Sequence, residues 1–202
     1  MDKIILIGAG GHAKACIDII ERDERFGIVG LVDKRESIVD NILGYKVIGT
    51  DDDLENLHLK YVYAFVTVGQ IKTPEIRISL YNILKLIGYL LPVIISPSAY
   101  ISKHAICSEG SIIMHGAIVN AGAKIGSNCI INNRSLVDHD AKVGAHCHIA
   151  TGAILNGGVT VREGSFIGSG TVVKQGINIG KKCVVGAGCV VKTDLPDHSE
   201  MK

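Results

Sequence analysis

The second half of the sequence repeats every six residues, and this period restricts the fold more than any other feature of the chain. Cut into sixes from 100 to 195, it reads YISKHA ICSEGS IIMHGA IVNAGA KIGSNC IINNRS LVDHDA KVGAHC HIATGA ILNGGV TVREGS FIGSGT VVKQGI NIGKKC VVGAGC VVKTDL, with no insertion. The second slot is Ile, Val or Leu in fifteen of the sixteen blocks, Cys107 being the exception. A period of six fits neither the helical turn of about 3.6 residues nor the simple alternation of a strand, so each block must join a short strand to a corner. A parallel β-helix satisfies this pattern. The aliphatic second slot points inward and stacks on its counterpart one coil away, while the small sixth slot and the frequent glycines let the backbone turn sharply. Phe166 is the only aromatic residue between 101 and 195, as a narrow interior requires. A β-sandwich would instead need longer alternating runs and turn signals every ~8–12 residues.

The six cysteines fit the same scheme. Cys129, Cys147, Cys183 and Cys189 stand in the sixth slot, where alanine and serine also occur, and no C-x-x-C pair is present. They are expected to be reduced corner residues, with no metal site among them.

The first half has a different grammar. KIILI at 3–7 is a short apolar run, GAGGH follows, and AKACIDIIERDER continues with helical spacing. Strand, glycine loop and helix in that order predict a site where backbone N–H groups at a helix start approach a phosphate, with Gly8, Gly10 and Gly11 offering no Cβ. Ala13 stands where the dinucleotide fingerprint has its third glycine or alanine. A second strand, IVGLVD, ends at Asp33, whose carboxylate is placed to accept ribose hydroxyls. A third strand, YVYAFVTVG, precedes a helix from about Pro74 to Ile87. Some 90 residues suffice for half of a dinucleotide fold, which suits a mononucleotide or nucleotide sugar. The expected architecture is therefore an α/β Rossmann-like half domain over 1–92 followed by a β-helix over 93–202.

Charge excludes some partners. Lysine plus arginine (21) almost cancels aspartate plus glutamate (20), leaving no general basic field for nucleic acid or an anionic membrane. The apolar run near Met1 is too short for a signal peptide or a bilayer span, so a soluble, cytoplasmic protein is expected.

A GAGGH-type α/β domain in front of an uninterrupted hexapeptide β-helix resembles the sialic-acid O-acetyltransferase-like sugar acyltransferases, a family that includes bacillosamine-pathway UDP-4-amino-sugar N-acetyltransferases. The segments that carry the likeness are IGAGGHAK and NNRSLVDHDAKVGAHCHIATGA. The resemblance implies a left-handed β-helix with three blocks to each coil, and acetyl-CoA as co-substrate. It also implies a homotrimer with active sites between protomers.

The family motif N-x-x-S-x-x-[DE]-H-[DE] falls on His139 and Asp140, which implies that His139 is the general base and Asp140 its orienting carboxylate. An imidazole titrating near neutrality suits removal of a proton from an attacking amine or hydroxyl. The resemblance places His148, Ser169 and Ala187 at the cofactor, and Asn132 in the acceptor pocket. It places Gly10, Gly11, His12, Asp33 and Lys34 at the nucleotide sugar.

His104, His115 and His198 are expected to be solvated, and His146 is a bystander or a pocket wall. Ile112, Met114 and Ile130 are expected on an uncovered exterior that drives self-association. The expected activity is N-acetylation of the 4-amino group of a UDP-linked amino deoxysugar. O-acetylation of a sialic-acid-like sugar hydroxyl is the alternative, and a non-catalytic scaffold or nucleotide-sugar sensor is the alternative of another class. A γ-class carbonic anhydrase would require three zinc histidines and would have no use for the front domain.

Overall fold

The computed structural model describes residues 1–34 and 41–202 of the chain. Its first unit is a sheet of order β3-β4-β2-β1-β5, built from β1 (Asp2–Ile7), β2 (Phe26–Val32), β3 (Asn41–Ile42), β4 (Tyr45–Gly49) and β5 (Tyr63–Val66). All pairings are parallel except the β3–β4 hairpin. The helices are α1 (Gly11–Asp23), α2 (Leu54–His58) and α3 (Glu75–Ile87). Strand β1, between β2 and β5, is apolar from Ile4 to Ile7, where both of its faces are covered. Ile4 and Leu6 pack with Ile17 and Ile20 of α1, whereas Ile5 and Ile7 pack with Leu80 and Leu84 of α3.

The hairpin and α2 have no counterpart in the sequence expectations. The hairpin turn puts Leu43 at φ 49° and Gly44 at φ 92°, and a leucine in the left-handed region is not the Asn-Gly or Asp-Gly signal that announces such a turn. The third strand is also shorter than expected. It stops at Val66, and the Thr67 hydroxyl then bonds the Gly8 carbonyl at 2.6 Å, tying this crossing to the glycine loop.

The second unit is a left-handed β-helix of two-residue strands. Ile130 pairs in parallel with Ile112 and His148, Leu136 with Ile118 and Ile154, and Lys142 with Lys124 and Thr160. Each pairing spans eighteen residues, so three blocks make one coil.

The prism has three faces. The docked face runs from Ile94–Ile95 to Glu200–Met201, the apolar face from Tyr100–Ile101 to Val190–Val191, and the polar face from Ile106–Cys107 to Asn178–Ile179. Second-slot side chains from Ile113 to Val191 form one continuous core. The fifth slot has positive φ at every coil corner from Gly110 to Gly188, including the non-glycine residues Asn128, Arg134, Asp140, His146 and Lys182. At the sixth slot, the Cys129 and Cys147 thiols donate to the carbonyls of Gly144 (3.0 Å) and Arg162 (3.1 Å), as the Ser111 and Ser165 hydroxyls do to Gly126 and Gly180. These cysteines are free, and burial pushes the Cys129 thiol up to about 12.

The first unit lies on the docked face. Helix α3 follows one corner of the prism: the Tyr81 hydroxyl bonds Glu109 at 2.8 Å, Arg77 reaches Asn128, and Lys182 bonds Glu75 at 3.1 Å. Helix α1 covers the rest of that face, and this corrects two expectations. Ile112, Met114 and Ile130 are at most 1% exposed, buried in one cluster with α1 and β1, so they offer no surface for self-association. His115 is not solvated but clamps the two units, with Nδ1 2.8 Å from Ser96 Oγ and Nε2 2.8 Å from Asp18 Oδ2. His104 and His198 are exposed as expected.

The uncovered apolar surface is elsewhere. Outward positions of the apolar face read Tyr100, Ile118, Leu136, Ile154, Val172 and Val190 on successive coils. Tyr100 is 59% and Val190 50% exposed.

Candidate active site

Between β1, β2, α1 and α3 lies a cleft of about 730 Å³ whose walls include Gly10, Gly11, His12, Asp33 and Lys34. The structure therefore brings together the five residues expected at the nucleotide sugar. The glycines divide the work. A Cβ at Gly8, which has φ +110°, would collide with Val68, so this glycine serves packing. Gly10 and Gly11 have nothing within 4 Å of an added Cβ and face open space at the start of α1, whose first turn carries no acidic residue. Such a helix start favours an anion.

Asp51 shares the cleft and was not singled out in the sequence. Burial, followed by the charge of Asp33, raises its carboxyl above the usual value. His12 lines the same cleft, and burial lowers its pKa to about 3, with the nearby Arg77 charge adding to the effect.

His139 and Asp140 sit at the corner between the apolar and polar faces, opposite the docked face. Asp140 Oδ2 lies 3.0 Å from His139 Nδ1, and Asp138 Oδ1 accepts the His139 backbone N–H at 2.7 Å. Asn120 in turn donates to Asp138 at 2.8 Å. With Nδ1–H donated to Asp140, Nε2 carries a lone pair and is the nitrogen able to accept a proton. The bond to Asp140, then the charge of Asp138, raises the imidazole pKa above its usual value. The ring lies over Gly157, one coil on, where any Cβ would strike Nε2 and Cε1.

The backbone here has a distinctive feature. On the same corner column, Gly122, Gly158 and Gly176 take the left-handed conformation, but Asp140 takes it at φ 59°. A carboxylate is thus kept where glycine fits without strain.

His148 lies elsewhere, on the docked face beneath the first unit, and is 8% exposed. Its Nδ1 donates to the Gln70 carbonyl at 2.6 Å, and its Nε2 accepts from Asn132 Nδ2 at 3.0 Å. Burial holds it neutral, with a pKa of about 4. His146 is also at the docking interface, with Nδ1 2.9 Å from Asn128 Nδ2 and its ring edge-on to Tyr81. Ser169 and Ala187 are exposed at the corner between the docked and apolar faces.

Within one chain the expected site residues therefore fall into three groups: the cleft, the docked side with Asn132, His148, Ser169 and Ala187, and the opposite corner with His139 and Asp140. The two corners flank the bare apolar face. Gly157 and Gln70 are contributors that the motif did not bring out, and Asp138, at the motif's first acidic position, was given no role there.

An α/β anion cleft joined to a hexapeptide β-helix that carries a carboxylate-oriented imidazole defines an acyltransferase of nucleotide-sugar type. Comparison with known proteins agrees. Residues 3–84 match the PglD N-terminal domain, and residues 158–193 match the hexapeptide repeat of succinyl-transferase. The acetyltransferase domain of PglB from Neisseria gonorrhoeae FA1090 is 33% identical at TM-score 0.90, over 99% of this chain and 96% of that one. PerB from Caulobacter crescentus, solved with CoA and GDP-perosamine, is 35% identical at TM-score 0.92, over 99% of this chain and 93% of that one. The chain belongs to the sugar acetyltransferase family that these proteins represent.

Proposed function

We propose that the protein transfers acetyl from acetyl-CoA to the 4-amino group of a nucleotide-linked amino deoxysugar. The observation that carries this reading is the His139–Asp140 pair, with Nε2 free of its neighbour's proton and standing over a glycine. The acceptor nitrogen attacks the thioester carbonyl while His139 Nε2 takes the proton that nitrogen loses. The CoA sulfur leaves and receives a proton, giving an amide and free thiol. Asp140 fixes the tautomer and stabilises the imidazolium. Direct transfer uses every residue at the corner and needs no acyl-enzyme.

The cleft at Gly10, Gly11, His12, Asp33 and Lys34 is assigned to the nucleotide, with the diphosphate at the start of α1. A UDP-linked acceptor is the first choice, and a GDP-linked one stands beside it because PerB was solved with GDP-perosamine.

The working unit in this reading is a homotrimer. The cleft and His139 lie on opposite sides of one β-helix, and the bare column from Tyr100 to Val190 lies between His139 and the corner of Ser169 and Ala187. Apolar faces turned toward a threefold axis set the His139 corner of one protomer beside the Ser169 corner and cleft of the next. His148, kept neutral by burial and oriented by its bonds to Gln70 and Asn132, then forms part of the cofactor wall. Thiol release from acetyl-CoA with UDP- and GDP-linked 4-amino sugars, in wild type and His139→Ala, tests the activity. Sedimentation of wild type against Ile118→Asp tests the assembly, for which a smaller species is expected.

A further inference from the structure

We propose that Arg134 of one protomer donates to Asp140 of its neighbour, so that each His139 site is completed by a guanidinium from the adjacent chain. The proposal rests on the homotrimer reading above.

Arg134 stands at the corner between the docked and apolar faces, the corner of Ser169 and Ala187. On successive coils this corner reads SPS, MHG, NNR, ATG, GSG and GAG, and Arg134 is its only Asp, Glu, Lys or Arg. The corner that carries His139 reads SKH, NAG, DHD, NGG, KQG and KTD. The arginine of the first corner therefore belongs to the same coil as the two aspartates that flank His139 on the second.

Backbone conformation singles out the same two positions. Arg134 has φ 55° in a column where Gly116, Gly152, Gly170 and Gly188 take the left-handed conformation, as Asp140 stands among the glycines of its own column. At the third corner, left-handed residues with side chains serve docking: Asn128 meets Arg77, His146 meets Tyr81, and Lys182 meets Glu75. Arg134 is exposed, and its side chain has no hydrogen bond or ion pair among the described residues. Its stem lies over Gly116, one coil before, just as Asp140 lies over Gly122. Asp140 Oδ2 is taken by His139, and the Asp140 side chain is 73% exposed, so Oδ1 is open to a donor.

Height fits as well. Residues 134 and 140 are a third of a coil apart, so with coils about 4.8 Å apart they differ by about 1.6 Å along the β-helix axis. Rotation about a parallel threefold axis leaves heights unchanged. Turning the apolar faces inward thus brings Arg134 of one protomer level with Asp140 of the next, whereas within one chain the width of the apolar face separates them. A guanidinium, always charged and planar, suits a carboxylate whose other oxygen already holds an imidazole. The contact fixes Asp140, and through it the His139 ring, only where two protomers meet. Arg134 is thus a positioning residue.

The first test is kinetic. Arg134→Gln should lower kcat by about 3–10-fold with little change in KM for acetyl-CoA, Arg134→Lys should recover part of the loss, and Arg162→Gln on the polar face should behave as wild type. The kcat/KM profile of Arg134→Gln should rise through a midpoint at higher pH than that of wild type. Only the carboxylates of Asp138 and Asp140 then face His139, since Asn120 and Gly122 on the preceding coil and Asn156, Gly157 and Gly158 on the next carry no charge. Wild-type kcat and an unmoved midpoint in Arg134→Gln overturn the assignment while leaving the acetyltransferase and homotrimer readings intact.

The second test separates neighbouring chains from single ones. A chain carrying Arg134→Glu and a differently tagged chain carrying His139→Ala are co-expressed, and trimers holding both tags are purified and checked by sedimentation. Every such mixed trimer has one site in which an intact His139 meets an intact Arg134 from the next protomer, so turnover of about a third of wild type is expected, well above either parent. Mixed trimers no more active than the Arg134→Glu parent overturn the proposal, because Arg134 then acts within its own chain. A wild type that turns over as a monomer removes the homotrimer reading and this one together, and a wild type without turnover removes the acetyltransferase reading with it.

Discussion

Arg77 of α3 reaches across to Asn128 of the β-helix, its Nη2 donating to the Asn128 side-chain oxygen at 2.7 Å and to the backbone oxygen at 3.2 Å. Asn128 returns a bond from Nδ2 to the Arg77 carbonyl at 3.2 Å. Arg77 is 1% exposed, and its Nη1 bonds the Val66 and Val68 carbonyls, so a buried, charged guanidinium is solvated by carbonyl oxygens. Burial lowers its pKa to about 10, still well above neutrality. The same side chain thus fixes the end of β5, one wall of the cleft and the docking of the two units.

Arg77→Met should cost about 2–4 kcal/mol, because it strands several buried carbonyls. At the size of this chain that lowers Tm by roughly 5–15 °C. Arg77→Lys should recover little of it, since one ammonium cannot reproduce the planar fork. Calorimetry showing an unchanged Tm for Arg77→Met would remove Arg77 as the docking residue.

Asp140 should separate stability from activity. Its left-handed backbone is strained for any side chain but glycine, so Asp140→Gly should raise stability, or leave it unchanged, by up to about 1 kcal/mol. It should also lower kcat/KM by about tenfold or more, through loss of the tautomer lock. In wild type, kcat/KM should rise with pH through a midpoint above the usual imidazole value, because a base works only when deprotonated and Asp140 and Asp138 raise its pKa. In Asp140→Gly the midpoint should move down. A midpoint that stays in place would separate the observed titration from His139.

Gly157→Ala places a methyl against the His139 ring. The ring must swing away, so kcat should fall by about 10–100-fold with little loss of Tm. An alanine variant of full activity would show that His139 does not act from the orientation seen here.

Buried neutral histidines make stability depend on pH. His148 is lowered to about 4 and His12 to about 3, against an unfolded value of 6.5. Between those limits the unfolded chain binds more protons, so stability is fully present above about 6.5 and is lost as pH falls toward 4. His148→Asn should flatten part of that slope in urea titrations from pH 7 to pH 5. Equal slopes would mean that other groups govern it.

How much of this was legible in the sequence depends on how local the signal was. The hexad pattern located the inward second-slot residues from Ile101 to Val191, because one coil position is one sequence slot, but it did not reach Ile95 and Met201 in the strands outside the sixteen blocks. It could not say which outward column the front unit covers, and so Ile112, Met114 and Ile130 were assigned to the wrong surface while the column from Tyr100 to Val190 went unnoticed. Strand, glycine loop and Asp33 marked the cleft, because that signal follows chain order. Asp51 and Arg77 reach their sites through docking and packing, which leave no spacing to read. The clamp made by His115 with Ser96 and Asp18 spans 97 residues for one of its bonds, and no local pattern encodes it.

The most direct test of the account is thiol release from acetyl-CoA in the presence of UDP- and GDP-linked 4-amino deoxysugars, with free sialic-acid-type sugars as comparison. Turnover with a nucleotide-linked amine, reduced about 10²–10⁴-fold in His139→Ala while assembly and Tm are retained, is the predicted result. Equal turnover in wild type and His139→Ala, or acetylation confined to a hydroxyl of a free sugar, would contradict it.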